Sequence, residues 1–195
     1  MRVREVLEQL VAISSVSSQS NRPMIEWIQS RFTAPCWHTA VFAYKDARGV
    51  EKLNLIVSST PAEEGTFAAE LALVCHTDTV PYDATWTDAT TLVERAGNLH
   101  GCGACDVKGF LACIVAACEG MEGTLVRPLC LVFTADEEIG CRGARFLLQH
   151  NALRARYAIV GEPTNLHPAR AGKGYALAAV QVLGRAAHSL SLIHI

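Results

Sequence analysis

Leu71-Ala72-Leu73-Val74-Cys75-His76-Thr77-Asp78 is the stretch on which the reading of this chain turns. Five apolar residues without a break suit a strand covered on both faces, as the strands of parallel sheets are. An imidazole and a carboxylate follow at once. The pattern recurs twice downstream. The apolar run 129–134 leads into Asp136-Glu137-Glu138, and the run 156–160 leads into Gly161-Glu162. Ligands of open α/β sheets bind at the carboxyl ends of the strands. Charges buried there must be paired or must bind metal. Three strand ends carrying acids or imidazole therefore predict one site.

Working outward, helical segments separate these strands. Residues 108–120 and 140–150 read as helices. Val3, Leu7, Leu10 and Val11 fall at helical spacing over 3–13. Asn21 is placed to cap a second helix, with Pro23 in its first turn and Ile25, Ile28 and Phe32 facing inward. Runs 37–44 and 53–58 look like strands joined by a turn at Asp46-Ala47-Arg48-Gly49. Residues 60–69 read as a polar loop and 77–107 as a long irregular stretch. Strands alternating with helices predict an α/β fold, a largely parallel sheet flanked by helices.

The bulk properties bound the function. The chain has 195 residues, 50% hydrophobic and 18% charged, which suits one domain with a core and the start of a second. A net charge of −2 gives no basic face, so nucleic acid is not an expected partner. No apolar run approaches the roughly 18–20 residues that cross a bilayer, so no membrane span is expected. An early acid, Glu5, with no continuous apolar stretch behind it argues against a signal peptide, and the expected location is cytoplasmic. Of eight cysteines, Cys113, Cys118 and Cys130 sit among apolar residues and read as reduced core groups. Cys102 and Cys105 form one C-x-x-C pair without a thioredoxin-like flank, a weak signal for redox or zinc chemistry.

Each motif has a bland reading and a chemical one. His76-Thr77-Asp78 is either a surface turn or a ligand histidine with a supporting carboxylate. Asp106, in Gly101-Cys102-Gly103-Ala104-Cys105-Asp106-Val107-Lys108-Gly109, is either a helix cap or a carboxylate able to bridge two cations. Asp136-Glu137-Glu138 is either a solvated helix start or a pair of Glu residues in which one binds metal and the other serves as general base. Glu162 alone would pass for a turn residue. Trp27, Trp37 and Trp86 read as packing residues.

Taken together and in order, these motifs resemble successive signatures of the zinc aminoacylase/carboxypeptidase family. They are joined by Leu10-Val11-Ala12-Ile13-Ser14-Ser15-Val16-Ser17 and Gly184-Arg185-Ala186-Ala187-His188-Ser189, and the likeness runs over roughly 10–189. The family often has arginine and methionine where Cys102 and Val107 stand. The resemblance implies two divalent ions, Zn2+ or Co2+. His76 and Glu162 would hold one, Glu138 the other, and Asp106 would bridge them. Asp78 would support His76, Glu137 would be the general base, and His188 would donate a hydrogen bond to the developing oxyanion. A further histidine ligand is implied beyond the matched segment. The implied reaction removes the acyl group from a small N-acyl amino acid, in a full-length homodimer. Residues 1–174 would belong to the catalytic domain and 175–195 would open a smaller lid and dimerisation domain. The tail 190–195 does not match and reads as a junction.

Overall fold

The computed structural model describes residues 2–121, 124–172 and 178–180. Met1–Pro163 form one compact unit and Thr164–Ile195 a second, whose described residues carry no helix or strand. The strand expected over 174–184 lies outside the described residues except at 178–180, which carry no strand, and the 174/175 boundary and His188 lie outside them altogether.

The first unit opens with α1 (Val3–Ala12) and α2 (Arg22–Gln29). Two strands follow, β1 (His38–Lys45) and β2 (Glu51–Ser58), paired antiparallel across the expected turn. Asp46 holds that turn, with Oδ1 accepting from the Arg48 and Val50 amides. Next come β3 (Phe67–His76), a small hairpin of β4 (Val93–Arg95) and β5 (Asn98–His100), and α3 (Gly109–Cys118). The chain then forms β6 (Leu129–Thr134), α4 (Arg142–Gln149) and β7 (Leu153–Val160).

The main sheet runs in the order β1-β2-β6-β3-β7. β6, β3 and β7 are parallel, as expected of the strands that end in chemistry, and β1 and β2 extend the sheet with antiparallel pairings. Side chains alternate across it. Leu55, Val57, Cys75, Leu131 and Phe133 face the layer of α1, α2 and α3, and Ile56, Ala72, Cys130 and Val132 face α4. Each large side chain so buried contributes about 1.5–3 kcal/mol.

Several expectations need correction. Asn21 stands at the start of α2 but does not cap it. Its side chain is spent on the sheet, donating to Leu53 O and Thr77 Oγ1 and accepting from Leu53 N. Phe32 is buried, but beyond the last turn of α2. β3 starts at Phe67, inside the expected loop, because Phe67 to Ala69 pair with β7. Among the described residues β7 pairs on one edge only. Tyr157, Ile159 and Val160 are more than half exposed, so it is not the buried strand its composition suggests. Cys118 and Cys130 are core residues, but Cys113 faces solvent, and all eight cysteines are free. Trp37 packs in the core, whereas Trp86 is exposed against Tyr82. Among the described residues no helix is long and apolar enough to cross a membrane.

Candidate metal centre

The parallel register brings the motifs to one level. His76 is opposite Thr134, and Val74 is opposite Val160. Continuing the second pairing by two residues sets Glu162 beside His76. Gly161 makes that continuation, its amide donating to Val74 O at 3.0 Å. A side chain at Gly161 would run into the Phe110 ring of α3, so only glycine lets helix and strand close there.

His76 is buried. Its Nδ1 donates to the Asp78 carbonyl at 2.9 Å, which turns Nε2 toward Asp106 Oδ1, 3.0 Å away. Asp106 is thus not spent as a cap on α3. It lies in a tight irregular turn, 104–108, whose Asp106–Val107 peptide is cis. One ligand atom each from His76, Asp106 and Glu162 lies within 4.8 Å of the others.

Asp78 acts differently from the simplest expectation. Its carbonyl orients His76, while its carboxylate stays 3.8 Å from Nδ1. That carboxylate instead accepts from Ser17 Oγ at 2.8 Å, from the Glu137 amide at 3.0 Å and from the Glu138 amide at 3.3 Å. The end of β3 is thereby tied to the segment after β6. Asp136 is not part of a solvated acidic run. It is fully buried, 2.9 Å from Lys52 Nζ, and accepts from Tyr44 Oη at 2.9 Å. Lys52, Tyr44 and Ser17 received no role from sequence. A lysine two residues before a buried asparagine in an apolar strand was the available signal for Lys52.

The electrostatics favour a cation. Burial pushes the Glu138 carboxyl up, and Asp106, Asp78 and Glu137 push it further against the pull of His76. Glu162 is raised by burial and by Glu137, Asp106 and Glu138, again against His76. Burial opposes the His76 imidazolium, but Asp78 and the hydrogen bond to Asp106 outweigh it and the group is raised. Two carboxyls, Glu138 and Glu162, raised first by burial and then by neighbouring carboxylates, facing one oriented imidazole, form a donor set suited to a divalent ion. Glu138 stands close enough to feel this cluster without being one of the converging three. Beside Glu138 opens a cavity of about 450 Å³, lined also by Val16, Val80, Pro81, Ile139 and Arg142.

Residues 72–186 match the Peptidase family M20/M25/M40. The chain belongs to that family. Relatives of this M20/M25/M40 chain include the acetylornithine deacetylase of Myxococcus xanthus, 47% identical over 96% of this chain and 48% of the relative. The acetylornithine deacetylase of Yersinia pseudotuberculosis is 38% identical over 95% of this chain and 49% of its own. The chain spans about half the length of the curated relatives it matches. Solved structures with this fold include human carnosine dipeptidase 1, at TM-score 0.62 and 19% identity over 82% of this chain and 38% of that one. A metallo-carboxypeptidase from Sulfolobus solfataricus aligns at TM-score 0.58 and 18% identity over 83% of this chain and 37% of that one. The family read from the motifs and the expected α/β architecture both stand.

Proposed function

We propose that the protein carrying this chain is a metal-dependent amide hydrolase that removes the acyl group of an N-acyl amino acid. The favoured substrate is N2-acetyl-L-ornithine, giving L-ornithine and acetate in arginine biosynthesis in the cytoplasm. The observation that carries the reading is the convergence of His76, Asp106 and Glu162 within 4.8 Å, with the Glu137 backbone held by Asp78 alongside. The acetylornithine deacetylases among the relatives support the substrate.

In this reading His76 and Glu162 would hold one ion, Glu138 would hold a second, and Asp106 would serve both. Zn2+ or Co2+ in these positions would supply Lewis acidity toward the amide carbonyl and lower the pKa of water. Glu137 accepts the proton from the attacking water and delivers it to the leaving amine nitrogen. The Asp78 carbonyl keeps the His76 ring turned, and its carboxylate keeps the Glu137–Glu138 backbone in place. The α-carboxylate of the substrate meets the Arg142 guanidinium in the cavity beside Glu138. His188 completes the site as an oxyanion donor from a lid that opens at residue 175 and that forms the dimer in the full-length protein.

The test is Glu137→Ala in the full-length, metal-loaded enzyme. Metal content should stay at the wild-type level, while turnover of N2-acetylornithine falls by about 10²-fold or more. Retained turnover would remove Glu137 from its role. Assaying N-succinyl-diaminopimelate, N-acetyl amino acids and dipeptides in parallel checks the substrate, since aminoacylases and dipeptidases would share this chemistry.

A further inference from the structure

Lys52 and Asp136 form an ion pair that solvent does not reach, with side-chain exposures of 1% and 0%. Burying two charges gains little stability, because well-packed apolar residues of the same volume commonly do as well or better. What the pair adds is direction. Lys52 Nζ donates to Ser17 O at 2.7 Å and to Gln19 O at 2.8 Å, and its remaining contact is Asp136 Oδ1 at 2.9 Å. Asp136 Oδ2 accepts from Tyr44 Oη at 2.9 Å, while Oδ1 is held by the charge of the Lys52 ammonium alone and accepts no hydrogen bond among the described residues. Asp136 also sits in the left-handed region, at φ 56°, and its carbonyl accepts from the Arg142 amide at 3.1 Å.

These contacts close a ring. Lys52 grips the Ser17 carbonyl, and the Ser17 hydroxyl grips Asp78 Oδ2. Asp78 Oδ1 accepts from the Glu137 amide, and Glu137 is bonded to Asp136, which returns to Lys52. The circuit links β2, the α1–α2 connection and the ends of β3 and β6. Only Asp78 and Glu137 in it have a proposed part in the site.

We propose that Lys52, Asp136 and Tyr44 are positioning residues that set the direction in which Glu137 presents its carboxylate. The proposal rests on Glu137 as general base. Fixing the backbone on both sides of Glu137, through Asp136 before it and through Asp78 at the Glu137 and Glu138 amides, sets the direction in which its Cα–Cβ bond leaves the chain toward the water it deprotonates. Such a role is felt in kcat and not in substrate binding.

The full-length, metal-loaded enzyme tests this with three variants and Glu137→Ala beside them. Lys52→Met leaves Asp136 buried without its partner and should lower both Tm and kcat. Lys52→Met/Asp136→Asn removes both charges, and asparagine tolerates the left-handed backbone. This double variant should recover most of the lost Tm yet keep kcat down by about 10²-fold, with KM and metal content unchanged. Tyr44→Phe frees one carboxylate oxygen without disturbing the pair, and should cost kcat several-fold at unchanged KM and nearly unchanged Tm. Recovery of kcat together with Tm in the double variant would reduce the pair to a structural role. If that variant fails to fold, wild-type kcat in Tyr44→Phe overturns the proposal instead. Turnover retained in Glu137→Ala would sink the general-base reading and this proposal with it, whereas loss there beside wild-type kcat in the double variant sinks this proposal alone.

Discussion

At the scale of single residues, Arg142 is a side chain whose hydrogen-bonding capacity the fold leaves unused. It is exposed at the start of α4 and makes no ion pair or side-chain hydrogen bond among the described residues. Arg48, on the same cavity, is instead paired with Asp46 at 2.8 Å. An unpaired guanidinium beside Val16, Val80 and Ile139 suits a carboxylate on a short aliphatic body. Arg142→Gln should therefore raise KM for an N-acyl amino acid about tenfold or more, the value of a hydrogen bond to a charged group, with little change in kcat. The matching N-acyl carboxamide should be turned over equally by both proteins. Equal KM for the acid in the two proteins would remove Arg142 from substrate binding.

At the scale of elements, Gly161 shows how a strand end is aimed. Its missing Cβ lets the Phe110 ring close against β7 and leaves Glu162 level with His76. Gly161→Ala should weaken metal binding, read by competition with a zinc chelator. Adding Phe110→Ala should restore part of it, because the obstruction is a side chain. No restoration would place the fault in the backbone. The same scale explains what could be read in advance. The ends of β3, β6 and β7 were legible because apolar runs stop abruptly at charge, and that contrast is both a fold signal and a site signal. β4 and β5 were not legible. Val93-Glu94-Arg95 and Asn98-Leu99-His100 are three residues each, too short for alternation to mark a strand, and their turn places Ala96 at positive φ where Asn or Asp is the usual signal. Lys52 and Tyr44 are not legible in the sequence because their meaning lies in Asp136, more than eighty residues away along the chain. Asn21 misled because the residue type that caps helices serves equally well to bridge backbone and side-chain groups of a sheet.

At the scale of the molecule, the charges at the carboxyl end of the sheet make stability depend on pH and on metal together. Glu138 and Glu162 are raised above the usual 4.5, and His76 above 6.5. For each, the folded protein holds a proton that the unfolded chain releases more easily. The stability this contributes is complete below the unfolded pKa and is lost as pH rises through the folded one. With chelator present, Tm should therefore fall as pH is raised from below 4.5 to beyond 6.5. Saturating Zn2+ should flatten the fall, since the ion replaces the protons and its binding releases them. Parallel curves with and without metal would mean that the cluster is not the binding site. The strand order carries a consequence in time. β3 is synthesised before both of its parallel neighbours, so its edges wait until Leu129–Thr134 and then Leu153–Val160 have emerged. Pairings so distant along the chain form late and slowly. His76, Asp106 and Glu162 therefore meet only when β7 docks. An ion arriving then cannot hasten that docking, but it holds β3, β6 and β7 against opening. Metal should lengthen the lifetime of the native state and leave the rate of reaching it unchanged.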